Sequence, residues 1–472
     1  MLFLQIRLSK TARAPSVARG VAAAAMVVAA GSCTGTSQDS PSYRCPSCNV
    51  VVISVDTLRA DHVGAYGYGR PTTPNIDALA ARGVLFENAI SQSSWTRPAH
   101  MSILTGMHPR EHGYVALADR RRLDDGVATI ASVLRENGYT TAAFTGGVNM
   151  SADYGFDQGF DLYRTNGKYF RDNFEDARYW LDQNDGERFF LLFHGYDPHT
   201  PYLNDPVDRV ALGLPRGPPE QGHRKTCRAD GPRSRIDPFI DEYDAAVHRA
   251  DRYVGKLIAE LEQRGLAQKT LIVVLSDHGE EFLEHGRCFH LATLYREVLH
   301  VPLILVAPGL APRRVAPLVA ASVTIAPTIM EMLGIEHRFP GPSLLAAALG
   351  GPVPQGPVVS ETERSLKQDG DGLVRSLTTE TDKLIYWVTH NRHALFDPRT
   401  DPFEQRAVPA SSREQMLADQ LERWSVAHPR RLSPRRSSGE GEKAGEADTT
   451  QKDQEDELRR REQDLRSFGY VE

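Results

Sequence analysis

Three polar clusters, far apart in the chain, carry residue types suited to metal-assisted ester chemistry. Asp56 follows the apolar run Val50–Val55, and Asp277 and His278 follow Leu271–Leu275 and Ser276. Two carboxylates and an imidazole form a donor set for one divalent cation. The histidine tilts the choice away from calcium, toward manganese, zinc or iron. Between them in sequence lies Ser94-Trp95-Thr96-Arg97-Pro98-Ala99-His100, running on into Ile103-Leu104-Thr105-Gly106. Pro98 suits the first turn of a helix, so the spacing predicts a helix starting near Pro98, with Thr96 just ahead of it. Free N–H groups and the helix dipole favour an anion there. A neighbouring cation would lower the pKa of the Thr96 hydroxyl and make it a nucleophile toward an anionic ester. The plainer alternative is that Thr96 only caps the helix.

The elements that must position these residues are legible in the hydropathy pattern. Val50–Val55, Tyr139–Phe144, Phe189–Phe193, Leu271–Leu275 and Val301–Val306 read as buried parallel strands. Helical patterns cover Asn75–Arg82, Thr129–Asn137 (with a threonine cap and a stop at Gly138) and Ile240–Arg264. Alternation of this kind implies an α/β fold, a doubly wound and mostly parallel sheet. Three strands end in ligand-type residues: Asp56; His194 with Asp197 and His199; and Asp277 with His278. Ligands bind beyond the carboxyl ends of strands in such sheets, so these ends can converge. After residue 345 the pattern changes. Val358–Ser360, Gly372–Arg375 and Lys383–Trp387 read as short antiparallel strands of a small subdomain over residues 346–428. Residues 429–451 read as a disordered linker, and 452–472 as a terminal helix.

Taken in order, the segments around Asp56, Thr96–Gly106 and Ser276–Glu280 resemble the metal and nucleophile segments of the sulfatase family, within the alkaline phosphatase superfamily. The resemblance runs over roughly residues 49–427, plus the terminal helix. It implies an alkaline phosphatase-like catalytic domain over 46–345, a small C-terminal α+β subdomain, and one divalent metal ion at Asp56, Asp277 and His278. That ion is calcium as in sulfatases, or manganese or zinc given His278. The resemblance places Thr96 where a sulfatase carries the cysteine oxidised to formylglycine. Oxidised threonine would give a ketone, so that chemistry is not available here. His100 replaces the arginine that would hold the modified residue. His199 falls in the family's substrate-side histidine loop, as general acid to the leaving oxygen. His290 falls where the family places a lysine or histidine on the anionic group, with His285 and Arg287 as weaker candidates. The lysine that many sulfatases supply after the second long strand has no counterpart, because Thr145-Gly146-Gly147 stands there. Asn149 is a further substrate candidate, and Arg59 and Asp61 are expected to shape the first loop.

The implied activity is metal-dependent hydrolysis of sulfate esters or related phospho- and phosphonate esters. Competing readings are a phosphodiesterase or phosphoalcohol transferase acting on envelope glycopolymers or lipids, and a degenerate sulfatase used as a carbohydrate-binding module. The expected partner is an anionic ester on a glycan, lipid or small molecule. A formal charge of -6 over 472 residues gives no reason to expect nucleic acid. Arg7, Lys10, Arg13 and Arg19, then the apolar Val21–Ala30, read as a signal peptide over 1–33. Cys33 reads as a lipidated residue, which predicts an exported, periplasmic or envelope protein touching the membrane only through a lipid anchor. In an oxidising compartment Cys45 and Cys48 can close a small loop, and Cys227 can pair with Cys288.

Overall fold

The computed structural model describes residues 43–119, 121–165, 167–216, 236–337, 339–364, 371–409 and 411–431. The strands of the main body are β1 (Asn49–Val55), β2 (Val84–Ile90), β3 (Thr140–Phe144), β4 (Leu162–Arg164), β5 (Phe189–Gly195) and β6 (Thr270–Leu275), then a separate hairpin of β7 (Glu281–Phe282) and β8 (Cys288–Phe289), then β9 (His300–Val301), β10 (Leu303–Val306) and β11 (Arg313–Ala320). All but the hairpin join one sheet in the order β11-β2-β10-β6-β1-β5-β3-β4, with β9 paired to β2. Strands β1, β5 and β6 are buried along their whole length, as a parallel sheet covered on both faces requires.

The flanking helices are α1 (Pro74–Ala81), α2 (Thr96–Thr105), α3 (Ile130–Glu136), α4 (Phe170–Asn184), α5 (Asp237–Gln263) and α6 (Ile325–Leu333). Side chains alternate across a strand. Val50 and Val52 therefore share a core with Met101, Leu104, Leu134 and Ile329, from α2, α3 and α6. Val51, Ile53 and Val55 share the opposite core with Leu79, Phe174 and Leu257, from α1, α4 and α5. Thr129 caps α3 as its sequence predicts, accepting from Ser132 N.

Some expectations need correction. Val301–Val306 is not one parallel strand. Pro302 separates β9 from β10, and both run antiparallel to their neighbours. After β6 the chain passes through the β7–β8 hairpin and the short helix Arg296–Leu299 and re-enters the sheet with Leu303 opposite Leu275, the last residue of β6, so β10 runs antiparallel. Helix α2 starts at Thr96 itself, not near Pro98. Strands β2 and β11 escaped the hydropathy reading because Glu87-Asn88 interrupts the apolar pattern of the first, while the second, at the sheet edge, opens on exposed Arg313-Arg314 and contains Pro317.

Strands β12 (Val358–Arg364), β13 (Gly372–Thr378), β14 (Lys383–Trp387) and β15 (Arg392–Phe396) form an antiparallel meander. One face, with Val358, Val374, Ile385 and Trp387, packs on Ile90, Leu294 and Leu299 of the main body. The other, with Val359, Leu377 and Leu395, packs on Leu417 and Leu421 of α7 (Ser412–Ala427).

Cys45 and Cys48 form a disulfide, and Cys288 is disulfide-bonded. Cys227, the segment 1–33 with Cys33, residues 432–451 and the terminal helix over 452–472 lie outside the described residues. Among the described residues no helix is long and apolar enough to cross a membrane.

Candidate active site

The carboxyl ends of β1, β5 and β6 meet, because β1 lies between the other two. This brings Asp56, His194, Asp277 and His278 together, all fully buried. One ligand atom each from Asp56, Asp277 and His278 lies within 4.8 Å of the others. Asp56 Oδ1 and Asp277 Oδ2 are buried without hydrogen-bond partners among the described residues. The His278 proton is placed on Nδ1, which donates to Gly279 O at 2.9 Å and leaves the Nε2 lone pair facing the carboxylates. Burial keeps this imidazole neutral, with its pKa lowered to about 4. Burial, and then the neighbouring Asp277, push the Asp56 carboxyl well above its ordinary range. For Asp277 burial acts upward too, but His278, His100 and His194 outweigh it and hold the group below the carboxylate range. Two buried carboxylates stay ionised together only with a cation beside them, so this donor set fits a divalent metal ion.

His194 is a positioning residue for this set. Gly146 N donates to its Nδ1 at 3.2 Å, so the proton sits on Nε2, which points at Asp56 Oδ2 at 3.2 Å. The glycine is required here. A Cβ at position 146 would stand 2.5 Å from the Tyr196 ring and 2.6 Å from Lys168 O. The Thr145-Gly146-Gly147 segment thus supplies a backbone donor to the site.

Thr96 is the first residue of α2, and Trp95 occupies the cap position without a side-chain cap bond. The capping alternative for Thr96 is therefore not what the structure shows. Its hydroxyl donates to Asp56 Oδ2 at 3.3 Å and lies 3.5 Å from His278 Nε2. His100, one turn later, contacts Thr96 O through Nδ1 at 3.0 Å and Ser54 Oγ through Nε2 at 2.9 Å. Its Nδ1 is also 3.3 Å from Asp277 Oδ2.

His278, His290 and His199 form a row, with ring centroids 4.4 Å and then 5.0 Å apart. His290 Nδ1 shares a hydrogen bond of 2.9 Å with Glu280 Oε1. His199 donates from Nδ1 to Thr200 O at 2.8 Å. Burial lowers the pKa of both imidazoles, to about 3 for His290 and well below the usual value for His199. Two cations act on this row: Lys168 on His199 and Arg364 on His290. Neither was singled out from the sequence, because each lies on a segment with no motif of its own.

The weaker candidates bond elsewhere. Asn149 Oδ1 accepts from Arg97, Arg287 pairs with Asp371, and His285 pairs with Glu297. Arg59 grips Asp61 with two nitrogens and reaches Glu280 O and Glu284, tying the first loop to the β7–β8 hairpin.

The family model described as Sulfatase matches residues 48–335. The chain is 24% identical over 345 residues to Arylsulfatase K of Xenopus laevis, covering 62% of this chain and 64% of that protein. It thus spans less than two thirds of that relative's length. It is 23% identical over 410 residues to the Delta 4,5-hexuronate-2-O-sulfatase of Bacteroides thetaiotaomicron, covering 76% and 84%. The solved phosphonate monoester hydrolase of Agrobacterium radiobacter shares the fold, with a TM-score of 0.65 at 18% identity, over 81% of this chain and 96% of that one. With more than half of its residues matched by the family model, the chain belongs to the sulfatase family.

Proposed function

We propose that this protein is a metal-dependent hydrolase of anionic esters, with Thr96 as the attacking group. One observation carries the reading: a buried hydroxyl at the start of a helix faces Asp56 and His278, within a donor set fit for a divalent ion. A cation held by Asp56, Asp277 and His278 would supply Lewis acidity that favours the Thr96 alkoxide. The residues do the rest. The N-terminus of α2 and the side chains of Lys168 and Arg364 favour a bound anion. Thr96 Oγ1 releases its proton to solvent and forms a bond to sulfur or phosphorus as the bond to the leaving oxygen breaks. His199 is neutral at rest. An anion bound beside it raises its pKa, so it can hold the proton that the leaving oxygen takes. Water then cleaves the threonine ester, releasing sulfate, a phosphate monoester or a phosphonate according to the substrate, and restoring Thr96.

A sulfate monoester, a phosphodiester and a phosphonate monoester each carry one negative charge, so the same electrostatics serve all three. The sulfatase relatives support a sulfate ester on a sugar. The resemblance of Ser94–Gly106 to the family's nucleophile segment matches Thr96 to the formylglycine cysteine, and an unmodified hydroxyl there supports the phosphorus esters. The basic and apolar residues ahead of Cys33 support export to the cell envelope.

The test is turnover of an aryl sulfate, an aryl phosphodiester and an aryl phosphonate by the full chain, with and without a chelator. The reading expects cation-dependent turnover of at least one ester, abolished in Asp56→Asn. Turnover indifferent to both chelation and Asp56→Asn would overturn it, as would none at all from cation-loaded protein. The second outcome would favour the binding-module or transferase readings.

A further inference from the structure

We propose that Glu281, His285 and Glu297 form a second divalent-cation site, of the zinc or manganese class, distinct from the Asp56 site. One ligand atom from each lies within 4.8 Å of the others. Glu281 is 1% exposed, and its Oε1 is buried with no hydrogen-bond partner among the described residues. A carboxylate taken out of water in this way is costly unless a charge meets it. Glu297, 6% exposed, brings a second carboxylate to the same place.

The third donor is oriented the way metal-bound histidines are. His285 Nε2 lies 3.1 Å from Glu404 O and 3.2 Å from Gln405 Nε2, and in the tautomer that donates to Glu404 O it carries the proton. Its Nδ1 faces Glu297 Oε1 at 2.6 Å. A hydrogen bond from one ring nitrogen to a backbone carbonyl fixes the ring and turns the other nitrogen toward the ligand. The ring is also held flat on Tyr295, with centroids 3.5 Å apart and planes 2° from parallel. A divalent ion entering between these groups replaces the proton shared by Nδ1 and Glu297, and balances the two carboxylates. An imidazole among the donors disfavours calcium and magnesium.

The site joins three segments. Glu281 opens β7 and pairs with Phe289, the residue before His290. Glu297 lies in the short helix Arg296–Leu299. Glu404 belongs to the C-terminal part of the chain, where Lys383 Nζ grips its carboxylate at 2.8 Å. A bound cation would pin the hairpin that carries His290 against both neighbours.

The experiment is elemental analysis of the full chain after chelation, reloading with zinc alone or manganese alone, and removal of excess ion. The proposal expects two ions per chain in the wild type, and one in each of Glu281→Gln and Asp56→Asn. It also expects the ion to raise the melting temperature of Asp56→Asn, and not that of the doubly substituted chain. One ion in the wild type, retained in Glu281→Gln and lost in Asp56→Asn, would overturn this site and leave the proposed catalytic site standing. One ion lost in Glu281→Gln and retained in Asp56→Asn would uphold this site and count against the catalytic reading. Should Glu281→Gln fail to fold, Asp56→Asn decides alone: one ion supports the second site, and none refutes it.

Discussion

Replacing His194 with alanine should loosen the cation site proposed at Asp56, Asp277 and His278 while leaving all three of these ligands in place. The imidazole Nε2–H points at Asp56 Oδ2 from 3.2 Å, and both groups are fully buried. Asp56 must be ionised to hold a cation, yet burial and Asp277 favour its protonated form. A hydrogen bond to a charged acceptor contributes about 1.5–3 kcal/mol. Losing it should weaken divalent-ion binding by about 10- to 100-fold, the usual scale for groups that orient metal ligands. The substitution also strips Gly146 N of its acceptor. The apo protein should therefore lose about 1–3 kcal/mol of stability, the cost of an unsatisfied buried donor. The two effects separate experimentally. Affinity is read by competition with a chromophoric chelator near neutral pH on folded protein, and stability by chemical denaturation of the apo form. An affinity within about threefold of wild type, against the tenfold or more expected, would show that Asp56 is oriented without His194, and the reasoning would fail.

Other consequences can be checked in parallel. Lys168→Ala should raise KM for an anionic ester by about tenfold, and the gap should narrow in high salt; an unchanged KM would remove Lys168 from the site. Asp251 on α5 accepts from Asn75 N at 3.0 Å and Ile76 N at 2.7 Å, capping α1 from across the core. Asp251→Ala should cost about 2 kcal/mol in denaturant unfolding. Burial raises the Asp251 carboxyl to about 6, above its ordinary 3.8, so its protonated form is favoured on folding. Its contribution is full below the unfolded value and is lost as pH rises through about 6. The stability gap between wild type and Asp251→Ala should therefore widen as pH falls from neutrality toward 4, and a narrowing gap would contradict the assignment. Cys45 and Cys48 are three residues apart, so replacing both by serine should lower stability by about 2 kcal/mol in a chain-entropy account. No loss by calorimetry would mean that the loop holds without the bond.

What could be read from the sequence follows from where each residue sits in the sheet. Asp56, His194 and the Asp277-His278 pair end long buried strands, and a polar residue there has few structural reasons to exist. Parallel neighbours then bring strand ends together without any further information. Thr96 was legible because Pro98 marks a helix start, although the boundary lay two residues earlier. Lys168 and Arg364 were not legible. One precedes α4 in a loop and the other ends β12, and only the packing of those elements brings them to the histidine row. His194 showed as a strand-end residue, but its bond to Asp56 depends on which nitrogen Gly146 occupies. His285 looked like a neighbour of His290 in sequence. The hairpin turns it instead toward Glu297 and Tyr295. The antiparallel return through β9 and β10 was hidden because an apolar run says nothing of strand direction.

The central claim is that the Thr96 hydroxyl attacks the ester. The most direct measurement is kcat/KM on the best aryl ester for wild type, Thr96→Ser and Thr96→Ala, each loaded with the same cation to the same occupancy. The account predicts that Thr96→Ser, which keeps the hydroxyl, stays within about tenfold of wild type, while Thr96→Ala falls by about a thousandfold or more. Thr96→Ala turning over within tenfold of wild type at equal cation occupancy would contradict it.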